Sequence, residues 1–216
     1  MRFTLGDGGR LVLTKSVALE SAAGKYFTVS DDAIYVLRSN NEIDELDAFE
    51  LTVKRTHKLS GDATCIAYSS ASKEIWVGDK KGELTVFSTA DFSIVHSIKK
   101  HTKAISVLTT SADGTHVASG DGYRYQYVWD AASREMKNEY GFLKDKILSM
   151  RFSNDGSKIV TTCTDRSFGV IDLTSGNTQV KRNPHEIKQV SSAVIGANGN
   201  IYTAGDDCCI RIWKGI

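Results

Sequence analysis

The residues best equipped for chemistry crowd together in one stretch: residues 203–213 read TAGDDCCIRIW and bring Asp206, Asp207, Cys208 and Cys209 next to a tryptophan. Thiolates with carboxylates could hold zinc, and paired thiols could cycle through a disulfide. The spacing supports neither. Structural zinc sites draw four ligands from separated pairs, whereas the four cysteines, at 65, 163, 208 and 209, form no C-x-x-C pair and have no histidine at ligand spacing. Neighbouring Cα atoms across a trans peptide stand about 3.8 Å apart, short of the roughly 4.4 Å that a disulfide needs. The thiols read as ordinary buried or surface groups, and neither a metal nor a cofactor is expected.

Other candidates lack their context in the same way. GDGGR at 6–10 and GDGYRYQY at 120–127 are glycine-rich, but neither opens a helix after a strand, as a phosphate-cradling loop must. There is no G-x-S-x-G, no H-E-x-x-H and no G-x-x-x-x-G-K-[ST], so no catalytic residue is assigned and a non-enzymatic protein is expected. The sequence supplies no catalytic motif around His57 or His96, while His101 and His185 each precede an apolar run, a structural placement. NNEIDELDAFE, with Glu42, Asp44, Glu45, Asp47 and Glu50, reads as a solvated loop; the alternative is an acidic docking surface for a basic partner.

Composition narrows the class further. With 41% hydrophobic and 25% charged residues, the 216-residue chain can bury a sizeable core and is folded throughout. A net charge of +1, with Lys and Arg evenly scattered, lacks the footprint of phosphate-backbone binding, so nucleic acid is not the expected partner. MRFTLGDGGRLVLTK has no basic segment followed by an apolar run, and nowhere do eighteen apolar residues follow one another. The expected location is cytoplasmic, with no membrane contact.

The elements that hold these residues repeat. Apolar alternating runs end at Leu37, Phe87, Trp129, Ile171 and Trp213, and the last three intervals are each 42 residues. A turn-like tetrapeptide keeps the same beat, as SAAG at Ser21, SASK at Ser70, SADG at Ser111, SNDG at Ser153 and GANG at Gly196. Within each unit the period is two: the third has strands over 105–109, 116–119, 125–129 and, more weakly, 136–140, with a turn at Asp113-Gly114. Four short strands in about 40–45 residues describe one β-propeller blade. The fold class is therefore all-β, with about five four-stranded blade units in one domain over 1–216. The first interval, 50 residues, implies an eight-residue insertion that contains the acidic run. RLVLTK either closes a ring by pairing with the last unit or belongs to an arc of a larger protein.

Aligned on this period, the residues six before each strand end are Asp31, Lys81, Tyr123, Asp165 and Asp207, and those ten before are Phe27, Val77, Ser119, Thr161 and Thr203. Here the chain resembles the WD-repeat family, whose blades carry a His before the first strand, a Ser or Thr on the second, an Asp in the tight turn and a Trp ending the third. The last unit supplies all four as His185, Thr203, Asp207 and Trp213, which the resemblance makes a structural hydrogen-bonded tetrad. The third has His101, Ser119 and Trp129 but Tyr123 in place of the Asp; the fourth has Thr161 and Asp165 but Ile171 in place of the Trp. From Ala63 to Lys214, including GDKKGELTVFS, YQYVWD and HEIKQVSSAVIGANGNIYTAGDDCCIRIWK, the chain is similar to the C-terminal propeller of the actin-interacting protein 1 family. That resemblance implies an arc of a seven-bladed propeller, a scaffold that binds proteins, namely actin filaments and cofilin, in filament disassembly, and a cytoskeletal location. The rival is a WD-repeat adaptor of a multiprotein complex, of the ubiquitin-ligase or trafficking type.

Overall fold

The computed structural model describes residues 2–5, 11–19, 22–186 and 188–215, among which there are strands, turns and bends but no helix. GDGGR and Ser21 of the tetrapeptide SAAG lie outside the described residues. The chain divides into two compact units, 1–61 and 62–216. In the first, β1 (Arg2–Leu5) pairs with β2 (Leu11–Lys15), and β3 (Gly24–Val29), β4 (Ala33–Arg38), β5 (Glu42–Asp47) and β6 (Val53–Lys58) form an antiparallel meander, the first sheet. The second unit holds four more meanders. They are β7 (Ala63–Ser69), β8 (Glu74–Asp79), β9 (Glu83–Ser88) and β10 (Ile94–Lys99); β11 (Ile105–Thr110), β12 (His116–Asp121), β13 (Gln126–Asp130) and β14 (Met136–Tyr140); β15 (Ile147–Phe152), β16 (Lys158–Cys163), β17 (Ser167–Asp172) and β18 (Thr178–Arg182); and β19 (Val190–Ile195), β20 (Ile201–Gly205) and β21 (Ile210–Trp213). The architecture is all-β, in sheets of the propeller-blade type.

The period is built into the backbone. Left-handed residues close the turn between first and second strands at Lys73, Gly114, Gly156 and Gly199, and the turn between third and fourth at Leu51, Phe92, Arg134 and Gly176. Between second and third strands they stand at Asn41, Gly82, Arg166 and Cys208. Tight hairpins need a positive φ where the chain reverses, and a residue there recurs whenever the strands keep their lengths.

These turns correct the reading of the first unit. Asn41 stands one period before Gly82, so AIYVL is the second strand of its sheet and the acidic run supplies the third, β5. There is no insertion, and NNEIDELDAFE is not a solvated loop. Asp44 and Glu45 are buried because basic strands flank them. Arg38 on β4 pairs with Asp44, Arg55 on β6 lies 2.5 Å from Glu45, and Thr56 donates to Asp44 at 2.7 Å. Matched charges let carboxylates enter a strand interior that normally takes apolar residues. In the corrected register Val36 and Asn40, rather than Phe27 and Asp31, are the first unit's counterparts of Thr203 and Asp207. The strand of RLVLTK pairs with β1, and the last sheet has three strands among the described residues.

Within 62–216 the sheets stack in chain order. Cys65, Ala67, Trp76, Leu84 and Val86 of the second sheet face Ile105, Leu108, Val117, Tyr127 and Trp129 of the third, and similar apolar layers bind the third to the fourth and the fourth to the fifth. Every first strand breaks register at its second residue, a bulge that turns this side chain aside. In the second and third sheets the bulged residue bridges to the next sheet: Thr64 donates to the Ile105 carbonyl at 2.6 Å, and Ser106 to the Ile147 carbonyl at 2.6 Å. Leu148 cannot do so, and Gln189 donates to the Cys163 carbonyl at 2.7 Å instead.

Close approach of the sheets depends on glycine at one repeated position. A Cβ on Gly78 would lie 2.8 Å from Ile105 Cγ2, and one on Gly120 would lie 2.8 Å from Ile147 Cγ2. We expect Gly120→Ala to destabilise the second unit by about 1–3 kcal/mol through overpacking. Gly122→Ala, whose Cβ would meet only a carbonyl at 3.4 Å, should leave the chemical-denaturation midpoint nearly unchanged. Equal midpoints for the two variants would refute this account of the packing.

Candidate functional site

Two sheets carry a complete network where second strand, third strand and preceding loop converge, buried in the third sheet and part-buried in the fifth. In the fifth, His185 Nδ1 lies 2.7 Å from Asp207 and Nε2 lies 2.9 Å from Thr203 Oγ1, which accepts the indole N–H of Trp213 at 3.0 Å. The structure thus brings His185, Thr203, Asp207 and Trp213 into one chain of hydrogen bonds. In the third sheet His101 Nδ1 lies 3.1 Å from Asp121, Nε2 lies 2.7 Å from Ser119 Oγ, and Trp129 donates to that oxygen at 2.9 Å. The Tyr123 side chain takes no part in it. The third unit is complete through Asp121, which position counting missed because it comes two residues after the Ser rather than four.

Packing explains the two positions. Gly205 is the counterpart of Asp121, and a Cβ there would lie 2.5 Å from His185 Cγ. The fifth sheet must therefore bring its carboxylate from the turn, at Asp207. In the third, Asp121 reaches the imidazole from the strand end, and its other oxygen accepts the N–H groups of Tyr123 and Tyr125 at 3.0 Å each. The fourth sheet has Leu143 in place of the His. Thr161 donates instead to Gln126 of the third sheet at 2.7 Å, and Asp165 accepts the N–H groups of Ser167 and Lys144.

Asp, His and Ser in line resemble the relay of a serine hydrolase, yet Ser119 cannot act as a nucleophile. It is fully buried, and its oxygen accepts from Trp129. A neutral imidazole with its proton on Nδ1 satisfies every atom: Trp129 donates to Ser119, Ser119 to His101 and His101 to Asp121. The network ties loops to the sheet. Burial works against the Asp207 carboxylate, but hydrogen bonds from Arg211 and His185 outweigh it and hold its pKa at about 2.

Outside the third network lies an exposed knuckle. Tyr127 meets the His101 ring edge-on at 4.5 Å, Tyr125 stacks parallel to Tyr127 at 6.4 Å, and Arg124 stands 5.3 Å from the rings of both Tyr123 and Tyr125. Tyr123 remains 43% exposed and Lys100 reaches over Tyr127, so aromatic and basic groups are presented on a loop whose backbone Asp121 fixes. The glycine-rich stretch GDGYRYQY thus builds a rigid surface knuckle. His57 and His96 lie on the outer strands β6 and β10.

The thiols separate into two pairs. Burial raises Cys65 to about 12 and Cys163 to about 11, so both remain protonated at neutral pH. Cys208, in the left-handed turn, and Cys209 are exposed and unbridged. Among the described residues no group of three or more His, Cys, Asp or Glu could hold a metal ion.

Comparison with known proteins agrees with this geometry. The family model described as WD domain, G-beta repeat matches residues 92–130 and 178–214, the two stretches that contain Trp129 and Trp213. The chain is similar to the 66 kDa stress protein of Physarum polycephalum, at 25% identity over 74% of this chain and 27% of that protein. It is similar also to actin-interacting protein 1-2 of Arabidopsis thaliana, at 26% over 75% and 27%. Periodic tryptophan protein 2 of Saccharomyces cerevisiae matches at 27% over 52% and 12%. The chain spans little more than a quarter of the length of the first two.

Two outcomes are expected. In the native protein a thiol reagent should modify Cys208 and Cys209 rapidly, and Cys65 and Cys163 only after unfolding; four fast thiols would contradict the packing. The Asp207 carboxyl has its ordinary value of 3.8 in the unfolded chain and about 2 in the folded one, so its stabilising effect is complete above 3.8 and lost as pH falls through 2. The stability gap between wild type and Asp207→Asn should therefore narrow over that window in denaturation midpoints taken at several pH values. A gap independent of pH would overturn the assignment.

Proposed function

We propose that this WD-repeat chain is a non-enzymatic protein-interaction scaffold of the cytoplasm that acts on actin filaments decorated with cofilin. The observation that carries the scaffold reading is the use of the polar networks. His101, Ser119 and Asp121 are sealed under the loop, and the loop presents Tyr123 to solvent with Arg124 against its ring. Aromatic and arginine side chains on a rigid support are enriched at the anchoring positions of protein interfaces. Similarity to a protein named for its interaction with actin supports the choice of partner.

Co-sedimentation tests this reading. The chain should pellet more strongly with cofilin-decorated filaments than with bare ones, and Arg124→Glu should weaken the difference several-fold while the protein stays folded. Equal pelleting with both filament types would remove the actin reading and leave that of an adaptor in another multiprotein complex.

A further inference from the structure

Lysine and arginine are scattered evenly along the sequence but not in space. In the second unit the first strands stack pointing the same way: Thr64 at the start of β7 donates to the Ile105 carbonyl at the start of β11, and Ser69 at the end of β7 donates to the Gly114 carbonyl past the end of β11, each at 2.6 Å. The turn between second and third strands of every sheet therefore lies at one end of the stack, beside the loop that leads into the first strand. The remaining turns lie at the other end. There Asp91, Asp113, Asp130, Asp155 and Asp172 each accept a backbone N–H of their own turn, so turn chemistry draws carboxylates to that end.

The loop end differs. Its carboxylates are committed locally: Asp62 lies 3.3 Å from Lys80, Glu139 3.3 Å from Lys100 and Asp165 3.6 Å from Arg182, while Asp79 and Asp145 accept backbone N–H groups and Glu83 accepts the Ser97 hydroxyl. Lys81, Lys103, Arg124, Lys144, Lys146 and Arg166 remain on the loops of the second, third and fourth sheets; all but the half-buried Arg124 are exposed, and among the described residues none has a carboxylate at ion-pair distance. The backbone beneath them is fixed. A Cβ on Gly82 would fall on the His101 carbonyl, so the turn of Lys81 abuts the loop of Lys103. The Ala104 carbonyl accepts the Gly122 N–H at 2.7 Å, and the Lys146 carbonyl accepts the Thr164 N–H at 3.0 Å.

We propose that this end of the second, third and fourth sheets holds an extended acidic segment of a partner protein. The inference rests on the scaffold reading and names the chemistry of what the scaffold holds. Stacked sheets lie about 10 Å apart and an extended chain rises about 3.3 Å per residue, so a carboxylate at every third residue meets the cations of one sheet after another. Most of these cations are lysines, separate point charges on three sheets, which suits charge spread along a chain. A single phosphate is held better by arginine forks converging on one point, and a nucleic-acid backbone needs a continuous basic track, which Asp62 and Asp145 interrupt here. Tyr123, on the middle of the three sheets and 43% exposed, offers its ring to apolar side chains between the carboxylates.

Fluorescence anisotropy supplies the test, with a labelled peptide that carries glutamate at every third position in a glycine–serine background and its counterpart with glutamine. The glutamate peptide should bind, and less tightly as salt rises, because the screening length shrinks from about 30 Å at 0.01 M to about 8 Å at 0.15 M ionic strength. Lys103→Glu and Lys144→Glu should each weaken binding several-fold. Lys137→Glu makes the same change of charge on β14, beside Asp130 at the other end, and should leave binding unchanged. All three side chains are exposed, and circular dichroism identifies the variants as folded. Equal losses from the three variants overturn the proposal, as does a glutamate peptide that binds no better than its glutamine counterpart, or tighter binding of polyuridylate or phosphatidylserine vesicles than of the peptide. Neither actin nor cofilin is present, so failure here leaves the filament reading standing, and failure of co-sedimentation leaves this surface standing.

Discussion

A short β-sheet with apolar side chains on both faces is not stable by itself in water, and this constraint governs the rest of the structure. Each inner sheet of the second unit meets it by lying between two others. Burial consequently falls from the inner strands outwards: β8 and β16 are almost wholly buried, while the outer strands β10 and β18 are exposed along nearly their whole length. A Gly at positions 78 and 120 lets neighbouring sheets approach, and the bulged hydroxyls of Thr64 and Ser106 link them through a backbone carbonyl. Hydrophobic contact supplies the attraction, and these polar and steric details set the distance and register at which it acts.

Polar chemistry follows from the same stacking. Between β12 and β13, or β20 and β21, the sheets leave room for an imidazole, and once buried it must be satisfied on both nitrogens. A hydroxyl, a carboxylate and an indole do so, and the cost of burying each alone becomes a fixed path for the loop above. The carboxylate enters from the strand end in one sheet and from the turn in the other. What the network requires is a point in space near Nδ1, which more than one backbone position can reach.

The period and the all-β class could be read from the sequence because strand alternation and turn spacing are local properties, and the resemblance to WD repeats then pointed to His185, Thr203, Asp207 and Trp213. Two features could not. The first sheet was placed one strand out of register because AIYVL has the apolar alternation of a third strand while EIDELD does not. Only the cross-strand partners Arg38 and Arg55 explain how carboxylates come to lie in a sheet interior. Asp121 was passed over because counting fixes a position along the chain, whereas a side chain acts through its reach. Gly205 was the available signal, since a glycine opposite the histidine of one unit marks where the other unit can place a side chain.

The inter-sheet bridges differ from one junction to the next: Thr64 serves the first, Ser106 the second and Gln189 the third, from a different position. Repeated units in one polypeptide risk pairing with the wrong neighbour while the chain collapses, and tandem domains are prone to such misassembly. Uneven bridges act as addresses. Thr64 and Ser106 are interchangeable, but a sheet stacked on the fourth without Gln189 leaves the Cys163 carbonyl without this donor, so fidelity of assembly is written where the repeats disagree.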